Sequence, residues 1–160
     1  EIEFNKSIEL IKTYCADVIV PDKMLLTLPD LKEFISGLNP DLIILQNITF
    51  ANAAYATEVL KAFDAPILLW TLREPVIDGG RLRLNSLTGA YSAANAFKGM
   101  RNDTLQYIFG ATEDDFVQKK IEATINPRNS PSFLAEKAKH SSLRAEVQKR
   151  LKLCFDLLFF

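Results

Sequence analysis

Stretches whose apolar residues recur every three to four positions alternate along this chain with short runs that are apolar throughout. That alternation is the signature of helices packed on a parallel sheet. Phe4, Ile8, Ile11 and Tyr14 or Cys15 share one helical face, and residues 18–20 form a short β-branched strand that Pro21 ends. A helix follows over 29–35, with Pro29 in its first turn and a stop at Gly37 and Asn39-Pro40. Residues 41–45 contain four consecutive large aliphatics, too few for a helix and apolar on both faces, as a central parallel strand is. A helix over 51–63, with Ala54, Val59, Leu60 and Phe63 available for packing, leads through Asp64-Ala65-Pro66 to a second apolar strand over 67–70. Residues 41–70 are therefore a βαβ unit, whose crossover is expected to be right-handed.

The pattern lapses over 71–85, which is polar and carries Gly79-Gly80, so this segment reads as a long loop. Beyond it come a helix over 86–101 with Ala94, Phe97 and Met100 inward, a short strand over 107–109, and a helix over 113–125. A Pro/Ser/Asn connector spans 126–132, and 133–158 reads as one long helix. The expected architecture is α/β: a three-layer Rossmann-like or flavodoxin-like domain with a mainly parallel sheet over 1–125. The connector and long helix over 126–160 are expected to lead toward a following domain. The start at Glu1 without Met and the apolar end at 155–160 point to a piece of a longer polypeptide.

Composition removes several classes of function. The charges nearly cancel, to a formal net charge of -1, and no dense Lys/Arg run offers a footprint for phosphate backbones, so no nucleic-acid partner is expected. No apolar run reaches the length of a membrane span, and no basic stub precedes an apolar leader. The expectation is a cytoplasmic protein without a membrane partner. Cys15 and Cys154 lack a CxxC spacing and read as core thiols of a reducing compartment. His140, the only histidine, lies in a Lys-rich, surface-like stretch and is a poor general base or metal ligand. Neither GxGxxG nor GxxxxGK[ST] occurs, so Gly79-Gly80 is not a phosphate cradle. Glu113, Asp114 and Asp115 open a helix, where acids favour the macrodipole without any catalytic role.

Ligands of open parallel sheets bind beyond the carboxyl ends of the strands. That rule selects residues 46–50 and 71–75. Gln46, Asn47 and Thr49 offer neutral donors and acceptors suited to a polyhydroxyl ligand, although Asn47 or Thr49 could equally cap the next helix. Trp70 could stack on a sugar ring or be core. Arg73 and Glu74 could hold substrate or fix the loop through an ion pair.

The stretch from Pro40 through Asp41, Leu42, Ile43, Ile44, Leu45, Gln46, Asn47, Ile48, Thr49 and Phe50 to Ala51, then Ala65 to Trp70 and Leu87-Thr88-Gly89-Ala90, resembles the amino-terminal part of the L-fucose and L-arabinose isomerase group. The likeness covers residues 39–110. It implies a multidomain aldose–ketose isomerase in which acidic residues of later domains hold a divalent metal, typically manganese, for a cis-enediol mechanism. Nothing here matches those acids, so the resemblance implies a leading domain with no metal ligand and no catalytic residue of its own, inactive alone. Such a domain helps to close the sugar pocket, often against a neighbouring subunit in a homo-oligomer. Carried over by position, Gln46, Asn47, Thr49 and Phe50 are the first substrate-binding candidates, with Trp70 and Arg73 second. Mn2+ is expected only in the intact parent. The alternative is a stand-alone sugar-binding or protein-interaction module without catalysis.

Overall fold

In the computed structural model, residues 2–101 and 105–126 are described in full and 152–156 as backbone. The elements follow the alternation. Helix α1 (Ile2–Tyr14) precedes β1 (Val18–Ile19), and α2 (Leu28–Ile35) leads to β2 (Leu42–Asn47). Then come α3 (Ala53–Ala62), β3 (Ile67–Thr71), α4 (Ser86–Met100), β4 (Gln106–Phe109), α5 (Asp115–Ile125) and β5 (Lys152–Asp156). All pairings are parallel, in the order β1-β5-β2-β3-β4.

Alternation along the strands sorts the core into two layers. Ile43, Leu45, Ile67 and Leu69 pack against α2, α3 and α4 through Leu31, Ile35, Val59, Leu60, Ala93 and Phe97. Ile44, Leu68, Trp70 and Ile108 point the other way, onto Ile8 and Ile11 of α1 and Val117, Ile121 and Ile125 of α5. Every residue of β2 and β3 is buried, as expected of strands covered on both faces. Each large aliphatic so buried contributes roughly 1.5–3 kcal/mol relative to an exposed one. This is the three-layer α/β domain with a parallel sheet that the periodicity predicts.

Helix ends are set by local chemistry. At the start of α2, the Thr27 hydroxyl accepts from the Asp30 backbone N–H while the Asp30 carboxylate accepts from the Thr27 N–H, a reciprocal cap reinforced by Pro29. Asn52 caps α3 by accepting from Ala54 N–H, so neither Asn47 nor Thr49 fills that role.

Two expectations are corrected. Residues 152–156 form a strand where the sequence suggests the end of a long helix over 133–158; the rest of that stretch lies outside the described residues. The β5 backbone sits between β1 and β2, pairing Lys152 with both Val18 and Leu42. An apolar run of this length satisfies either period, and long-range pairing decides between them. Helix α4 packs through Gly89, Ala90, Ala93 and Phe97, with Ala94 half-buried against the same core, whereas Met100 is 43% exposed. Small residues let α4 approach the sheet closely, a signal that a count of large apolar residues passes over.

Candidate functional site

The loops that follow β2 and β3 leave the sheet side by side and are tied to each other. Leu72 N–H donates to Asn47 C=O at 3.2 Å, extending the ladder one step beyond β3, and Phe50 N–H donates to Leu84 C=O at 3.1 Å. The long loop over 72–85 closes on itself. The Glu74 carboxylate accepts from the backbone N–H groups of Arg83, Leu84 and Asn85, and the Ser86 hydroxyl donates to Leu72 C=O. Charge-assisted bonds of this kind are among the stronger ones. They hold residues 83–85 in a fixed curve leading into α4, where Asn85 adopts φ 53° and its side-chain oxygen accepts from Thr88 Oγ1 at 2.7 Å.

Between the two loops lies an open pocket of about 420 Å³, lined by Thr49, Phe50 and residues 81–85. Phe50 is 43% exposed and presents an apolar face; Thr49 brings a hydroxyl; Arg81 and Arg83 are exposed. A hydroxyl-bearing residue, an aromatic and two arginines therefore line one concavity.

The other residues singled out from sequence go elsewhere. Gln46 points to the α1 side, where its Nε2 donates to Ser7 Oγ at 2.7 Å and its Oε1 is buried without a partner among the described residues. Asn47, its neighbour, points to the α4 side, fully buried, with neither end of its amide hydrogen-bonded among the described residues. A buried polar group left so costs about 1–3 kcal/mol, which makes Asn47 a residue that packing alone does not account for. Thr71 sits opposite Asn47 in the β2–β3 register and is also fully buried; its hydroxyl makes no hydrogen bond of good geometry among the described residues. Burial pushes the nearby Tyr107 phenol up, and the Thr71 hydroxyl only partly offsets it.

Trp70 is wholly enclosed and donates its indole N–H to Gly110 C=O at 3.0 Å, so it presents no ring face to the pocket. Arg73 pairs with Asp114 at 2.8 Å. The Ala111 backbone N–H and then the Arg73 guanidinium hold that carboxyl below its usual range. Arg73 and Glu74 thus fix loops, the structural reading of the pair. Of the six substrate candidates, Thr49 and Phe50 meet at the pocket, while Gln46, Asn47, Trp70 and Arg73 lie beneath or beside it.

Arg81, Arg83 and Asn85 are what the sequence reading missed. The available signal was a pair of arginines after Gly79-Gly80 in the loop following an apolar parallel strand. Among the described residues no group of three His, Cys, Asp or Glu side chains converges. No helix among them is long and apolar enough to cross a membrane.

Comparison with known proteins brings a consistent set of relatives. The chain is 57% identical over 120 residues to the sulfoquinovose isomerase of Clostridium sp. (strain MSTE9), a match covering 75% of this chain and 27% of the relative. It is 34% identical over 129 residues to the sulfoquinovose isomerases of Priestia aryabhattai and Priestia megaterium (strain ATCC 12872 / QMB1551), covering 79% of this chain and 28% of each relative. The chain thus spans about a quarter of the length of the curated relatives it matches. No protein-family model and no solved structure matches it.

Proposed function

We propose that this chain is the leading domain of a sulfoquinovose isomerase, and that it contributes one wall of the sugar pocket at the carboxyl ends of β2 and β3. The reading is supported most by the 57% identity to a relative of that name, carried over three-quarters of the chain. The strand-end pocket lined by Thr49 and Phe50 supports a wall at that position.

Sulfoquinovose is a hexose whose C6 carries a sulfonate in place of a hydroxyl. Its isomerisation to the ketose moves a proton between C2 and C1 through an enediol. The resemblance to the L-fucose and L-arabinose isomerase group extends the reading to a cytoplasmic, manganese-dependent, oligomeric parent, whose acidic ligands then belong to other parts of the polypeptide. The role proposed for this domain is to bind and orient: Thr49 hydrogen-bonds sugar hydroxyls, Phe50 covers an apolar face of the ring, and Asn47 underlies the loop that carries both.

The test is conversion of sulfoquinovose by the complete polypeptide in D2O, followed by NMR. The expected result is ketose signals that grow with time, with deuterium entering the carbons next to the carbonyl. Failure of sulfoquinovose to convert, with or without added Mn2+, overturns the isomerase reading.

A further inference from the structure

The described arginines divide into two kinds. Arg73 is engaged by Asp114, and Arg101 donates to the backbone carbonyls of Ala65 and Phe63. Arg81 and Arg83 have no side-chain partner among the described residues, yet both line the pocket that holds Thr49 and Phe50. The acids nearest in sequence form no ion pair with them among the described residues. Both Glu74 oxygens accept from backbone N–H groups of residues 83–85, and Asp78 Oδ1 accepts from Gly80 N–H. The loop's carboxylates bond its own backbone, and two arginines line one concavity.

From this arrangement we infer that Arg81 and Arg83 form the anion subsite that recognises the C6 sulfonate of the sugar. The inference rests on the proposed isomerase function and adds to it the part of the substrate this wall holds. A sulfonate carries one negative charge spread over three oxygens and stays ionised at any physiological pH. A guanidinium presents parallel N–H donors that meet two such oxygens at once, and it too keeps its charge. Phe50 suits the C6 methylene that joins the sulfonate to the ring, and Thr49 suits the hydroxyls beyond it. The grip of Glu74 on residues 83–85 fixes the backbone that carries Arg83, so that part of the subsite is formed before the sugar arrives. A neutral hexose finds the same hydroxyl contacts but leaves both cations unmatched, which is a source of discrimination.

The experiment uses the complete polypeptide as wild type, as R81A/R83A and as R81K/R83K, with sulfoquinovose and its uncharged analogue 6-deoxyglucose as substrates. In R81A/R83A, kcat/KM for sulfoquinovose is expected to fall about tenfold to a hundredfold further than for 6-deoxyglucose, chiefly through KM. R81K/R83K, which keeps the charge and loses the fork, recovers part of that loss. Equal losses on the two sugars, or an unchanged KM for sulfoquinovose, overturn the assignment. If the wild type isomerises neither sugar, titration with methanesulfonate followed by NMR decides the subsite separately. Binding that disappears in R81A/R83A supports it even as the isomerase reading fails, and absence of binding by the wild type overturns it. A variant that does not fold is replaced by the single substitutions, read in the same way.

Discussion

Replacing Trp70 by Ala is expected to destabilise the domain by about 3–5 kcal/mol, at the upper end of what a single core truncation costs. Trp70 is fully enclosed among Ile44, Leu68, Ile108 and the residues of α1 and α5 that pack on that face. Truncation removes an indole from a close-packed interior that can collapse only in part. It also strips the Gly110 carbonyl of its donor, at the turn where Ala111 N–H and Arg73 converge on Asp114. Trp70→Phe separates the two contributions, because it keeps much of the ring and loses the N–H; the expected cost is about 1–3 kcal/mol. As the chain has a single tryptophan, unfolding is followed by circular dichroism rather than fluorescence. At roughly 2–4 °C per kcal/mol for a domain of this size, Trp70→Ala lowers Tm by about 6–20 °C. A loss below about 1 kcal/mol for Trp70→Ala would show that the indole is not buried as described.

The second large effect concerns the contact between α4 and the loop that follows β2. A Cβ on Gly89 would stand 2.8 Å from Ala51 N, 3.0 Å from Thr49 O and 3.0 Å from Asn47 Nδ2. Two of those neighbours are backbone and cannot rotate away, so Gly89→Ala must push helix and loop apart. The expected cost is about 1–3 kcal/mol. Because the displaced segment carries Thr49 and Phe50, affinity for the sugar should fall together with stability. Gly99, in the same helix, has nothing within 4 Å of its Cβ position. Gly99→Ala should therefore be neutral or stabilising by up to about 1 kcal/mol through helix propensity. Equal effects of the two substitutions on the unfolding midpoint in urea would contradict the close approach at Gly89.

These residues also mark where the sequence speaks and where it stops. The apolar runs 42–45 and 67–70 that begin β2 and β3 announce themselves, because burial on both faces leaves no polar alternation to confuse with anything else. The segment at 152–156 does not: Leu, Cys and Phe between Lys152 and Asp156 suit a helix as well as a strand, and only pairing with β1 and β2 selects the strand. The inward face of α4 was hidden for another reason, since Gly89 and Ala93 matter by being small. Sequence order identified the strand ends beside which the pocket lies, but not the directions of the side chains. Gln46 and Trp70 turn toward the α1 and α5 side, away from the loops they introduce. Asn47 turns the other way and is buried. In the sequence Arg81 and Arg83 lie in a segment that reads only as a polar loop. Their availability becomes visible only when Glu74 and Asp78 are seen bonded to backbone.

The claim on which the rest depends is that this domain touches the sugar through the pocket between the post-β2 and post-β3 loops. Hydrogen exchange of the complete polypeptide, with and without saturating sulfoquinovose, tests it directly. The account predicts slowed exchange over residues 49–50 and 81–85, with little change in the amides of α1 and α5. Protection that appears elsewhere in the polypeptide and leaves both loops unaltered would contradict it.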